Sequence, residues 1–443
     1  HCTTFEMLGN WSLNDYFKKE AIEMTMEFFI DVLQMDINRI YVSVFKGEDN
    51  IPKDTTSIEV WKSVFSKYSI NANVGNNERI QEFGKKNNWW GLATGGPCGP
   101  DSEIFFDTGK QPCNNNCNVN CNCGKYIEIG NNVFMEYLLE KGKYLPLGRH
   151  NVDFGGGLER IAMISRNVDS VYEIDIYEPI LDEVKKLSKN NNLHSQRIIT
   201  DHIKAAVLVI MDGVIPSNTM QGYVLRRLIR RAMRHARIVG IENGFTSAIG
   251  NICIDQFKQI YPQLDKQREN ILNELKKEEE KFNKTLDKGL KELDKYISHT
   301  NTITGEEIFT LYETYGLPKE VTEEILSEKN ITINNPNGFE EAKKLHQEKS
   351  RTSSAGIFKG GLADTSEMST KYHTTTHLLL AALRKVLGDH VYQKGSNITP
   401  ERLRLDFPNQ ENLTQEQLQK VEDLVNQAIK EKLPVTYEQL PKE

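Results

Sequence analysis

The sequence predicts an α+β fold: a mainly antiparallel sheet with flanking helices, then an all-helical region, then the start of a second α+β unit. Three observations carry this. Strand-like runs and helical patterns mix over residues 1–168 without the regular alternation of a doubly wound sheet. Residues 169–350 read as helix after helix. A Ser/Thr/Gly-rich stretch at 351–370 reads as a linker, and 371–443 then gives a helix, a strand-like run and another helix.

Length and composition agree. A chain of 443 residues is too long for one ordinary core, so several domains are expected. The net charge of −7 argues against a wholly basic nucleic-acid coat and leaves room for a local basic face. No run of about 18 apolar residues occurs, so no membrane span or membrane partner is expected. The opening HCTTFEMLGN has neither the basic nor the apolar region of a signal peptide. Seven cysteines in a chain this long do not suggest a disulfide framework, and a reducing, cytoplasmic setting is expected.

The first region has five strand-like runs in order: HCTTFEML, RIYVSVF, SEIFFD, YIEIG and NVFMEYLL. DYFKKEAIEMTMEFFIDVL between the first two is a helical pattern. In the second region RIITDHIKAAVLVIMDGV reads as an amphipathic or buried helix. Residues 266–297 place Leu272, Leu275, Phe282, Leu286, Leu293 and Ile297 at near-heptad spacing, which predicts a long helix with one packed seam. In the third, YHTTTHLLLAALRKVLG and TQEQLQKVEDLVNQAIKEK are helices around the strand-like RLRLDF.

The segment VDFGGGLERIAMI, residues 152–164, sets an acid before three glycines and an Arg after them. It lacks the third glycine of a dinucleotide fingerprint and the Gly-Lys-Ser/Thr of a Walker loop. Two readings stand: close packing of a helix on a strand, or a ligand site in which glycines admit close approach. In the second, Arg160 forks onto a phosphate and Asp153 faces a cation.

Three further segments bear on it: HCTTFEMLGNWSLNDYF at 1–17, GGPCGPDSEIFFD at 95–107 after Trp89 and Trp90, and EIGNNVFMEY at 128–137. Together and in this order the four resemble the catalytic core of the alanyl-tRNA synthetase family, class II aminoacyl-tRNA synthetases. DGVIPSNTMQGYVLRRLIRRAMRHA extends the resemblance into that family's tRNA-recognition helices, and HTTTHLLLAALRKVLGDHVYQKGS into its editing domain.

The resemblance implies specific roles. Asp153 holds the alanine ammonium, the Gly155 and Gly157 backbones border the substrate, and Arg160 clamps the ATP γ-phosphate. Phe5 stacks on adenine with Glu6 and Met7 beside the nucleotide. Trp90 and Val133 wall a methyl-sized pocket, with Asn131 next to them. The family's first motif, and the first strand of its second motif with an ATP-binding Arg, would precede His1. The β-barrel unit usual before the editing helix has no counterpart here. ATP and Mg²⁺ are the expected cofactors of alanine activation and transfer to tRNA(Ala), since attack of a carboxylate on a phosphate needs its charges neutralised. A methyl pocket discriminates against glycine or serine by only about 1–3 kcal/mol, so hydrolytic editing of the mischarged product is expected as well. The alternative is an acceptor-stem RNA-binding fragment without catalysis.

His373 and His377 are one helical turn apart, a spacing that suits one metal ion, while Thr374 stands where a zinc protease has Glu. The resemblance makes these two histidines part of an editing Zn²⁺ site and places Thr376 and Gln393 near the hydrolysed ester. The family completes that site with a later Cys and His.

RRLIRRAMRHAR, 226–237, has six arginines and no acid. Arg226, Arg230, Arg234 and Arg237 fall on one helical face, with Arg227 and Arg231 beside it. A single-sign face in an acidic protein suggests a polyanion, here the tRNA acceptor stem. The resemblance makes Asn218 a reader of the G·U pair, with Glu313 where the family has Asp. Finally, CNNNCNVNCNC sets Cys113, Cys117, Cys121 and Cys123 in one loop. Four thiolates can hold zinc, although these spacings are not the usual Cys-x-x-Cys pairs, and free thiols are the other reading. Cys98 is expected to be buried.

Overall fold

A computed structural model describes residues 2–298, 300–355, 367–398, 402–409 and 412–432. It divides into two compact units, His1–Gly289 with Gly316–Val321, and Leu290–Tyr315 with Thr322–Glu443.

The first unit contains, among the described residues, a seven-stranded sheet. Its strands are β1 (Met7–Leu13), β2 (Ile40–Phe45), β3 (Ile80–Phe83), β4 (Trp89–Trp90), β5 (Gly96–Asp107), β6 (Tyr126–Glu140) and β7 (Lys143–Gly157). The order is β1-β7-β6-β5-β2-β3, with β4 on β5. Within this sheet every strand pairing is antiparallel except β2 with β3, as the mixed pattern of runs predicts. The two runs YIEIG and NVFMEYLL prove to be one strand, β6. The strand expected over HCTTFEML begins only at Met7. The residues before it are fixed by side chains of other elements instead.

One face of the sheet is covered by α1 (Lys18–Met26) and α2 (Thr55–Lys67). Ile22, Met26 and Phe29 pack there with Trp61, Phe65, Phe134, Val152 and Phe154 in a single apolar cluster. A short α3 (Lys85–Asn88) leads into β4, and α4 (Leu158–Ser165) starts directly from the end of β7. Then come α5 (Glu178–Leu187), α6 (Leu193–Met211), α7 (Met220–Ile238), α8 (Phe245–Phe257), α9 (Gln263–Lys266) and α10 (Arg268–Ile297). Of the seam expected along α10, Leu275, Phe282, Leu286 and Leu293 are buried and Leu272 and Ile297 half-buried, with most of the helix's charges exposed and Glu278 and Glu279 buried.

In the second unit a parallel pair, β8 (Thr302–Thr304) and β9 (Thr332–Asn334), accompanies α11 (Gly305–Tyr315), α12 (Lys319–Glu328) and α13 (Gly338–Ala355). α12 itself runs from the first unit's return segment into the second. The linker expected over 351–370 lies largely outside the described residues. Beyond it α14 (Glu367–Leu387) packs on α15 (Gln415–Lys430) and on a hairpin of β10 (Gly395–Ile398) and β11 (Leu403–Asp406). Ala382, Leu383, Val391 and Val421 form its small core. No helix among the described residues is long and apolar enough to cross a membrane.

Candidate active site

Strand periodicity builds the site. Side chains alternate faces along a strand, so cross-strand partners share a face. Asp153 pairs with Trp11 on one side and Val133 on the other, Gly155 with Gly9 and Asn131, and Gly157 with Met7. On β5, Asp101 stands opposite Val133 and Glu103 opposite Asn131. These residues therefore lie on one face, while Val152, Phe154 and Phe134 fill the other against the helices. A bulge adds one more. Gly130 pairs with Ile104 and Glu128 with Phe105, so Ile129 is skipped and Glu128 turns to the open face.

A cavity of about 270 Å³ lies on this face, lined by Met7, Gly9, Trp11, Trp90, Asn131, Val133, Asp153, Gly155 and Gly157, with Glu128 and Arg160 at one end. The same Glu128 and Arg160 line a neighbouring cavity of about 540 Å³, with Glu103 and Phe105. The three glycines divide their work. Gly156 points into the core, where an added Cβ would lie 3.2 Å from Ile161 and from the Phe154 ring. Gly155 borders the cavity, where an added Cβ would meet Met7 first, at 3.1 Å. Gly156 thus has the close packing of the first reading, while Gly155 borders the cavity.

Arg160, in the first turn of α4, donates from Nη1 to the Glu128 carbonyl and carboxylate, each at 2.9 Å. Asn88 donates to the Asp101 carboxylate at 3.1 Å. Burial raises the Asp101 carboxyl to about 7. Glu103 is raised to about 8, by burial first and then by the charges of Asp101 and Glu128. The Oδ1 of Asn131 is buried and has no hydrogen-bond partner among the described residues. Asp101, Glu103 and Glu128 escaped sequence reasoning. Their sharing a face depends on pairing and on a bulge, which spacing along one strand does not show.

The approach to β1 is held from the helices. Asp201 of α6 accepts from Thr3 N at 2.8 Å and from the Thr3 hydroxyl. Lys204, one turn on and fully buried, donates to the Thr4 carbonyl at 3.0 Å and to the Tyr177 hydroxyl at 2.9 Å. Glu159 of α4 accepts from Glu6 N at 3.0 Å, and Tyr261 donates to the Glu6 carboxylate at 2.7 Å. Phe5 between them is 42% exposed, with Met7 exposed beyond it, and the Glu6 carbonyl accepts from Leu158 N at 3.0 Å just before β1 begins.

Two relatives match the chain over nearly its whole length. The chain is 47% identical to the alanine–tRNA ligase of Treponema denticola over its whole length and 75% of that relative. It is 45% identical to the alanine–tRNA ligase of Borreliella afzelii (strain PKo) over 98% of the chain and 74% of that relative. Residues 1–395 match the family model of tRNA synthetases class II (A). The chain belongs to the alanine–tRNA ligase family. The family is one of ligases, and the sheet with its flanking helices has the α+β fold expected of its class. A more distant member, alanine–tRNA ligase 1 of Lachnoclostridium phytofermentans, is 34% identical over 98% of the chain and 62% of that relative.

The arginine helix departs from the sequence reading. Arg226, Arg230 and Arg234 are buried rather than presented to solvent. Arg230 pairs with Glu278 of α10 at 2.6 Å, and Arg226 with the same carboxylate at 3.2 Å. Arg227 pairs with Glu320 at 2.7 Å, and Arg237 with Asp287. Arg231 contacts His202, whose other ring nitrogen lies 2.8 Å from Asp201. Acids distant in sequence thus neutralise much of the face that looked free. Arg226 also donates to the Oδ1 of Asn218 and to the Pro216 carbonyl, which fixes the exposed Asn218 turn.

In the second unit Glu313 is exposed at the end of α11, with His346 at 3.8 Å. His373 and His377 sit on α14 with ring centroids 5.0 Å apart. Thr376 is buried between them in sequence, its hydroxyl bonded to the Tyr372 carbonyl, and Gln393 is exposed and donates to Ser396. A tetrahedral zinc needs four donors. Among the described residues no third His, Cys or carboxylate joins this pair within ligand distance. The editing zinc therefore does not fit the described residues, and no chemistry is assigned to it.

Proposed function

We propose that this chain activates L-alanine with ATP to alanyl-adenylate and transfers the alanyl group to the 3′ end of tRNA(Ala). The observation that supports it most is the row that sets Asp153, Val133, Gly155 and Arg160 along one cavity. The Asp153 carboxylate takes the ammonium, and the Asn131 Oδ1 offers it a second acceptor. Val133 and Trp90 close around the methyl group. The alanine carboxylate is left facing along the cavity toward Arg160, where the phosphates of ATP lie. Its oxygen attacks the α-phosphate and pyrophosphate leaves. The 3′-terminal hydroxyl of tRNA then attacks the carbonyl and releases AMP.

Arg160 offers a bidentate fork to the γ-phosphate. Glu128 accepts hydrogen bonds from Arg160, so binding of a phosphate there exchanges one anion for another. Phe5 gives the adenine an exposed aromatic face, with Glu6 and Met7 alongside. Glu103 and Glu128 are hard oxygen donors facing the phosphate end, a donor set that fits Mg²⁺. When bound, Mg²⁺ neutralises phosphate charge and favours departure of pyrophosphate.

For tRNA, the exposed Asn218 and Glu313 are proposed to read the acceptor stem, with Arg227 and Arg231 near its backbone. Arg226, Arg230 and Arg234 act by positioning, because they are buried. Hydrolysis of Ser-tRNA(Ala) or Gly-tRNA(Ala) is proposed for the α14 unit around Thr376 and Gln393.

Alanine-dependent exchange of labelled pyrophosphate into ATP tests the activation step. The chain should exchange, and Asp153→Ala should abolish exchange while leaving tRNA binding nearly intact. Equal loss of both in Asp153→Ala would make Asp153 a structural residue. No exchange, with retained tRNA binding, by the chain extended to the full length of its relatives would favour the RNA-binding fragment.

A further inference from the structure

The loop between β5 and β6 is rich in Asn and poor in apolar residues. Only Cys117 and Val119 of its segment 113–123 are buried. Its backbone is shaped by two consecutive side-chain-closed turns. Asn114 Oδ1 accepts from Asn116 N at 2.8 Å, and Asn118 Oδ1 accepts from Asn120 N at 3.0 Å. In each turn the Asn carbonyl also receives the N–H of a Cys, Cys117 at 3.1 Å and Cys121 at 3.0 Å. The repeat delivers cysteine after cysteine to one point.

The sulfurs of Cys113, Cys117 and Cys121 all lie within 4.8 Å of one another. Cys123 joins them, its sulfur 3.6 Å from that of Cys117. All four are free thiols. A tetrahedral Zn²⁺ with bonds of about 2.3 Å to sulfur sets its ligands about 3.8 Å apart. Cys113, Cys117 and Cys121 are close to that spacing, and Cys123 reaches it with Cys117. Backbone and side-chain N–H groups already point at two of the sulfurs, Asn118 N at Cys121 at 3.4 Å and Asn114 Nδ2 at Cys113 at 3.5 Å. Such donors stabilise thiolates once a metal has displaced their protons.

The loop also has a place to act. Val119, Asn120, Cys121 and Asn122 line the cavity of about 540 Å³, whose other walls include Glu103, Glu128 and Arg160. Val119 N donates to Gln81 of β3 at 3.2 Å, which ties the loop to the sheet at one point. Without a core of its own, a loop of this composition needs a staple to keep a fixed surface.

We propose that Cys113, Cys117, Cys121 and Cys123 bind one structural Zn²⁺ as a tetrathiolate, and that this ion holds the loop as a wall of the cavity beyond Arg160. Binding releases four protons and leaves a site of charge −2, flanked by Lys110 and Lys125. The effect on ATP rests on the activation reading above; the metal site does not.

Metal analysis of the purified chain, prepared under reducing conditions, tests the site. One zinc per chain is expected in the parent and in His373→Ala, and none in Cys117→Ser/Cys121→Ser. Zinc that is lost with His373→Ala and kept in the double variant overturns the proposal. So does a zinc-free parent, after incubation with Zn²⁺, whose cysteines all titrate as free thiols or are paired as disulfides. Should the double variant not fold, Co²⁺ loading of the parent decides: thiolate-to-cobalt charge-transfer bands support the site, and their absence overturns it. Removal of the metal should then raise KM for ATP about tenfold in pyrophosphate exchange, with KM for alanine little changed. An unchanged KM for ATP in a zinc-loaded and exchanging chain would overturn the wall role and leave the metal site standing.

Discussion

Arg160 and Glu128 meet at 2.9 Å at the junction of two cavities, one ending at Asp153 and the other at the cysteine loop. A guanidinium already oriented by a carboxylate and a backbone carbonyl is preorganised for phosphate. Arg160→Lys keeps the charge and loses the fork. It should lower kcat/KM for ATP about 100-fold in pyrophosphate exchange, with KM for alanine within about threefold. A change confined to alanine would move Arg160 to the other substrate.

The glycine run gives a paired prediction. Gly156→Ala forces a methyl against Ile161 and Phe154 in the core, and should cost about 1–3 kcal/mol in urea unfolding. Gly155→Ala meets first the flexible Met7 side chain, so its stability should stay within about 0.5 kcal/mol of the parent. Its methyl projects into the cavity, and KM for alanine or ATP should rise. Equal destabilisation by both would mean that the two glycines share one packing role.

Lys204 is buried beside Glu159, 3.8 Å away, and burial lowers its pKa. Removing the ammonium leaves a buried carboxylate without its cation, and leaves the Thr4 carbonyl to the Tyr177 hydroxyl at 3.3 Å. Lys204→Met should therefore destabilise the chain by about 3–5 kcal/mol. Adding Glu159→Gln should restore part of this, measured by urea unfolding of the single and double variants. A double variant that simply sums the two losses would show that the pair does not interact.

Asp101 and Glu103 give a pH dependence. Their folded pKa values, about 7 and about 8, lie above those of the unfolded chain. The folded state holds these protons longer, so their contribution is fully present near pH 4 and is lost as pH rises through about 7 to 8. Each unit of separation corresponds to about 1.4 kcal/mol before solvent relaxation reduces it. Asp101→Asn/Glu103→Gln should thus gain in Tm relative to the parent as pH is raised from about 5.5 to 8.5, measured without nucleotide. A constant difference across that range would show that neither carboxyl is perturbed.

Much of this was legible in residue order. The mixed pattern of runs predicted an antiparallel sheet, and VDFGGGLER supplied an acid, a close approach and a cation at fixed spacing. What escaped was set by partners far away in sequence. Glu128 reaches the cavity only because Ile129 is skipped in pairing, which no periodicity of β6 reveals. The arginines of α7 looked unpaired because Glu278 lies 48 residues beyond Arg230, within a helix dense in exposed charge. Thr3–Glu6 has the alternation of a strand but is held by Asp201, Lys204 and Glu159 from helices.

The most direct measurement is a crystal structure of the chain with a non-hydrolysable alanyl sulfamoyl-adenosine. The ammonium should lie about 3 Å from the Asp153 carboxylate, with the methyl against Val133 and Trp90. The sulfamoyl group should lie toward Arg160 and the adenine on Phe5. An analogue bound outside this cavity, or an ammonium paired with another carboxylate, would contradict the assignment.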